Sequence, residues 1–121
     1  MAALTSTQSG NWTSSSTWGG STPADGDTFT ITAGHKVTVN SDNRPTNGYG
    51  DITVFGNLHF ATNAKFRMNG RITVEGSNAA YDTGTQFTEG SSSSGGLLSG
   101  DGSNIILEFR GNNDDQHGIW V

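Results

Sequence analysis

The sequence predicts an all-β chain folded as a short right-handed parallel β-helix, a β-solenoid-like stack of short strands. Three observations carry that expectation. Apolar residues alternate in steps of two through residues 51–76: Ile52 and Val54, Leu58 and Phe60, Phe66 and Met68, Ile72 and Val74. Alternation at period two puts one set of side chains on one face of a strand. Ile52-Thr53-Val54 returns as Ile72-Thr73-Val74, and each copy is followed by one residue and a glycine, Gly56 or Gly76. Glycine and Asn/Asp turn residues interrupt the runs throughout, with 18 glycines in 121 residues. A recurring short unit with glycine corners is the pattern of stacked coils. A small β-sandwich is the alternative, because a set of short strands with turn signals also satisfies that fold.

In chain order, residues 1–22 read as a polar lead-in with a tryptophan-containing cap. Trp12 and Trp18 stand there among Ser, Thr and Gly. Indoles in such a place either cover the end of a β core or offer a flat face to a sugar ring. Residues 23–76 read as the stacked strands. Pro23-Ala24-Asp25-Gly26-Asp27 turns, and strand-like Thr28–Thr32 and Lys36–Asn40 flank the corner Ala33-Gly34-His35. Residues 40–50 make a polar excursion through Pro45 and Asn47-Gly48. Residues 77–104 are Gly/Ser-rich and read as an arm or surface loop, with Leu97 and Leu98 among its few apolar residues. Residues 105–121 return to strand, with Ile105, Leu107 and Phe109 on one face and Ile119, Trp120 and Val121 at the close. No apolar pattern of helical period spans ten residues or more.

Composition narrows the function classes. The net charge is −5 and the six Lys and Arg residues are scattered singly. Nucleic acid and anionic membranes call for clustered cations, so neither is an expected partner. There is no cysteine, which removes disulfides and thiolate metal sites.

Candidate catalytic and metal groups read as structural. Asp25 and Asp27 flank a turn glycine without the further oxygen ligands calcium takes. Asp114, Asp115 and His117 have ligand chemistry but no second histidine at a supporting spacing. His59 falls between Leu58 and Phe60 and should point outward; His35 sits at a corner. No Gly-x-Ser-x-Gly elbow presents a serine nucleophile. Asp51 and Glu75 fall at repeat ends and read as solvated. The expectation is no enzyme, no cofactor and no metal.

Residues 10–39 resemble the opening of a known family. Gly10-Asn11-Trp12, Thr17-Trp18-Gly19-Gly20, Pro23, Asp25-Gly26-Asp27, Ile31-Thr32-Ala33-Gly34-His35 and Val37-Thr38-Val39 resemble the eight-glycine domain and similar openings of β-helical structural proteins of tailed bacteriophages. That resemblance implies a non-enzymatic virion protein, such as a capsid decoration or a tail spike or fibre module. Its expected partners are other virion proteins or copies of itself, a trimer included. The contact residues expected from the apolar C-terminal stretches are Leu97, Leu98, Ile119, Trp120 and Val121. The alternative is an extracellular or cell-surface carbohydrate-binding module, with Trp12, Trp18 or Tyr49 stacking on sugar. A second alternative is a fragment of a polysaccharide-degrading β-helix enzyme.

Overall fold

The computed structural model describes residues 2–75, 80–81, 95–101, 104–110 and 118–120. Its strands are β1 (Ala3–Thr5), β2 (Gly10–Asn11), β3 (Thr28–Ile31), β4 (Lys36–Val39) and β5 (Asp42–Asn43). They continue as β6 (Ile52–Val54), β7 (Asn57–Phe60), β8 (Lys65–Met68) and β9 (Arg71–Val74). The last are β10 (Ala80–Tyr81), β11 (Leu97–Gly100), β12 (Ile106–Phe109) and β13 (Gly118–Trp120). A single turn of 3-10 helix, Ser15–Trp18, is the helical element among the described residues.

Three sheets result, ordered β1-β3-β6-β9-β13, β10-β11-β7-β4-β2 and β12-β8-β5. Every ladder between these strands is parallel. From β3 to β9 the chain visits the three sheets in rotation; β2 is followed directly by β3, and β10 and β11 fall in the same sheet. Antiparallel hairpins, the currency of the sandwich alternative, are absent among the described residues.

The Ile-Thr-Val repeat now has a mechanical meaning. Ile52 pairs with Ile72 and Val54 with Val74, and Phe29 and Ile31 align beside them in β3. These side chains point inward and are 0–3% exposed. The threonines between them face outward in one column, Thr5, Thr30, Thr53 and Thr73. β-Branched residues suit such a pleated, half-covered surface. On the second sheet Val37, Leu58 and Leu98 stack inward in the same way.

Glycine is required where the corners stack. A Cβ on Gly56 would run into the carbonyl oxygens of His35 and Thr32 in the preceding corner. Gly96, forty residues on, would meet Val54 O and Glu75 O. Neither site has room for even one methyl group.

The observed core contains Trp12, Trp18 and the inward residues of β3, β4, β6, β7, β8 and β9. Leu4, Tyr49, Ala64, Leu97 and Leu98 join it, which the alternation did not select. Ile105, Leu107 and Phe109, read as one face of a strand, are only partly buried, and Ile119 is 41% exposed. Leu107, Phe109 and Ile119 belong to the edge strands β12 and β13, and Ile105 directly precedes β12. The Gly/Ser-rich stretch 77–104 is corrected in part. Its described residues include β10 and β11, and β11 lies between β7 and β10. The rest of that stretch lies outside the described residues. β1, β2 and β5 were not expected as strands, being short and polar.

An ionic clasp crosses the outer face of the third sheet. Arg67 Nε donates to Glu108 Oε2 at 2.6 Å, joining β8 to β12. Arg44 binds Asp42 through both of its outward nitrogens at 2.8 Å. Hydrogen bonding to Arg67 and Arg44 holds the Glu108 and Asp42 carboxyls below their ordinary pKa values.

Gly56→Ala is expected to destabilise the fold by about 1–3 kcal/mol, as overpacking does. Urea unfolding followed by circular dichroism measures this as a lowered midpoint. The clasp sets an acid limb. A carboxyl whose folded pKa is lowered contributes stability above its ordinary range, and that contribution fades as pH falls through the lowered value. Arg67→Met should therefore lower the urea midpoint at neutral pH, and the difference from the native chain should narrow in strong acid without vanishing, since Arg67 Nη1 also donates to Pro45 O at 2.9 Å. The effect is small, since the pair is solvent-exposed and salt-screened.

Candidate functional site

The three aromatic residues expected to stack on sugar are all inside the protein. Trp12 is 0% exposed, and Trp18 and Tyr49 are 5% each. The Trp12 ring stands 4.4 Å from Phe29, 4.8 Å from Phe66, 5.1 Å from Tyr49 and 5.2 Å from Trp18 between centroids. Trp18 Nε1 donates to Trp12 O at 2.8 Å, locking the two indoles together. Burial raises the Tyr49 pKa, and the nearby Trp12 N–H opposes that shift. That N–H has no partner within hydrogen-bond geometry. A sugar ring needs an open aromatic face, so Trp12, Trp18 and Tyr49 are corrected to core residues.

The expected contact residues divide. Leu97 and Leu98 are 7% exposed, because β11 pairs on both edges, and they are corrected to core. Ile119 and Trp120 are exposed on β13, at 41% and 37%. Val121 lies outside the described residues. Ile119 aligns with Ile72, so it continues an inward column that is sealed below it. Trp120 aligns with Thr73 and continues the outward threonine column. The guanidinium of Arg71 sits 4.2 Å from the Trp120 ring centroid, a cation–π contact. Ile106, on the edge strand β12, is a further exposed apolar residue at 42%.

The carboxylates hold turns. Asp27 accepts from Ala2 N and Ala24 N at 2.8 and 2.9 Å. Asp25 accepts from Gly48 N at 3.0 Å and from Asn47 Nδ2 at 3.0 Å, tying one corner to the next. A polar cleft of about 360 Å³ lies over these corners, lined by Asp25, Gly26, Asn47, Gly48, Gly50 and Asn69. Asp51 Oδ1 accepts from Arg71 N at 3.0 Å. Among the described residues no three His, Cys, Asp or Glu gather as metal ligands. Asp114, Asp115 and His117 lie outside them.

One constellation escaped the sequence reading. His59 Nδ1 is 2.8 Å from Ser99 Oγ, and His59 Nε2 is 2.9 Å from Asp101 Oδ1. Asn57 Nδ2 donates to the same Ser99 oxygen at 3.0 Å. Ser99 stands forty residues from His59, twice the spacing of the Ile-Thr-Val copies. Extending that period was the signal available.

The G8 domain matches residues 17–116, well over half of the chain. The chain belongs to the G8 domain family. The likeness drawn to an eight-glycine domain of phage structural proteins is corrected: the matching family is the G8 domain, and no phage protein stands beside it. The residues behind that likeness were turn glycines and packing tryptophans. Such residues report how a chain folds and say nothing of where it works. No curated protein and no solved structure matches this G8 domain.

Iodide quenching separates the three tryptophans. The expected outcome is quenching of one indole only, lost in Trp120→Phe, with Trp12 and Trp18 shielded.

Proposed function

We propose that this G8 domain is a short right-handed parallel β-helix that works through protein–protein contact at the end built by β12 and β13, a role that itself needs no catalysis. Parallel strands joined by crossovers take the right hand almost always. The observation that carries the contact reading is the column Phe29, Ile52, Ile72, Ile119. Its first three members are 3%, 0% and 0% exposed, and the fourth is 41% exposed. Among the described residues β12 and β13 are edge strands, and apolar side chains beside such an edge are a surface for another layer of protein. A second copy of the chain is the partner this reading names first. The phage setting rested on the corrected likeness and is dropped.

Light scattering after size exclusion tests it. The expected result is a defined oligomer that Ile119→Lys converts to monomer without loss of the β spectrum. A native chain that stays monomeric at high concentration overturns self-contact.

Trp120 favours a second reading, carbohydrate binding on the outer face of the first sheet. Its exposed ring continues a row of threonine hydroxyls. One aromatic face beside aligned hydroxyls suits a linear neutral sugar chain. Cellohexaose should shift the Trp120 emission, and Trp120→Ala should abolish binding. No shift at saturating sugar would remove this reading and leave the first in place.

A further inference from the structure

We infer that Ser99 is an activated serine nucleophile that accepts an acyl group from a carboxylic ester, with His59 as its base and Asp101 as the carboxylate that orients that base. This goes beyond the contact reading and gives the module a chemical reactivity.

The fold assembles the three groups on one face. β7 and β11 pair in parallel with Ser99 directly opposite His59. Leu58 and Phe60 of β7 and Leu98 of β11 point inward, so His59 and Ser99 point outward by alternation. Asp101 continues the same alternation past Gly100, and its N–H donates to Phe60 O at 2.9 Å, which holds the end of β11 in place.

The hydrogen bonds set the direction of the protons. Asp101 is an acceptor, so the Nε2 atom facing it at 2.9 Å carries hydrogen. In the neutral imidazole Nδ1 is then the bare acceptor. Asn57 Nδ2 also donates to Leu97 O at 2.9 Å, and a carbonyl can only accept. The Asn57 group facing Ser99 is therefore its NH2, which donates to Oγ. With that lone pair occupied, the hydroxyl hydrogen of Ser99 has, among the described residues, His59 Nδ1 at 2.8 Å as its strong acceptor. Carboxylate, imidazole and hydroxyl thus stand in the order that nucleophilic catalysis by serine uses. The imidazole is turned round relative to the common arrangement, with Nδ1 towards the serine.

The step balances. Oγ bonds to the ester carbonyl carbon while Nδ1 takes its proton. The tetrahedral adduct then expels the alcohol oxygen, which leaves with the proton from His59. Ser99 is left as an acyl ester. Water can attack that ester in the same way, releasing the carboxylic acid and restoring the hydroxyl.

An internal comparison sharpens the inference. Ser6 Oγ is also 2.8 Å from a histidine, His35 Nδ1. Ser6 is 3% exposed, however, and its oxygen accepts from Thr32 N at 2.9 Å. Among the described residues no carboxylate bonds to His35. Ser6 has the pair without the relay or the access.

A fluorophosphonate probe, followed by peptide mass spectrometry, is the test on the full chain. The expected result is labelling at Ser99 and none at Ser6. His59→Gln should slow labelling by ~10²-fold or more. Asp101→Ala should slow it too, and Asp101→Glu should recover part of the rate, which a merely structural side chain would not do. Circular dichroism confirms that each variant is folded. No label on the folded native chain, or equal labelling of Ser99 with His59→Gln, overturns the inference. Oligomeric state read on the same sample shows separately whether the contact reading stands.

Discussion

The structure depends on parallel strands pairing in register within three sheets. Parallel ladders have no tight hairpin to set them, so the register must come from side chains and corners. Here it comes from identical pairs, Ile52 on Ile72 and Thr53 on Thr73, and from corners that admit only glycine. A slip of one residue would turn Ile and Val outward and bring threonine into the core. The aromatic cluster around Trp12 ties separate sheets together, since its neighbours come from β3, β8 and the Tyr49 corner.

Much of this was legible because apolar and polar residues alternate along the central strands, and the apolar ones are buried. β3, β4, β6, β7, β8 and β9 announce themselves in that way. β1, β2 and β5 do not, since Ala-Leu-Thr, Gly-Asn and Asp-Asn carry little apolar pattern. They are strands because a neighbour offers a backbone edge, which is a tertiary cause. β11 is the stronger case. Leu-Leu-Ser-Gly within a Ser/Gly-rich stretch reads as loop, yet all four residues pair with β7 and the two leucines also pair with β10. Its two leucines were expected to meet a partner subunit and instead meet the chain's own core.

The candidate sites were harder to read, for a related reason. Whether an indole caps or binds depends on what covers it, and Trp12 and Trp18 are covered by residues distant in sequence. Trp120 looked like one more apolar terminal residue. Its outward direction follows only from its pairing with Thr73. His59, Ser99 and Asp101 were invisible as a group because no local motif joins them. Ladder register brings them together, and that register can be read only after β11 has been recognised as a strand.

The two exposed residues of β13 face in different directions, which bears on how the proposed contacts combine. Ile119 prolongs an inward column and Trp120 an outward one. A copy of the chain stacked on that end would cover Ile119 in line with Ile72. It would leave the outer face of the first sheet, with its threonines and the ring over Arg71, open to solvent. Hydrophobic burial at the end and a flat aromatic face at the side therefore do not compete for one surface. The same holds for Ser99, which lies on the second sheet. Three sheets of parallel strands can carry separate contacts, because each contact is built from one column of aligned side chains.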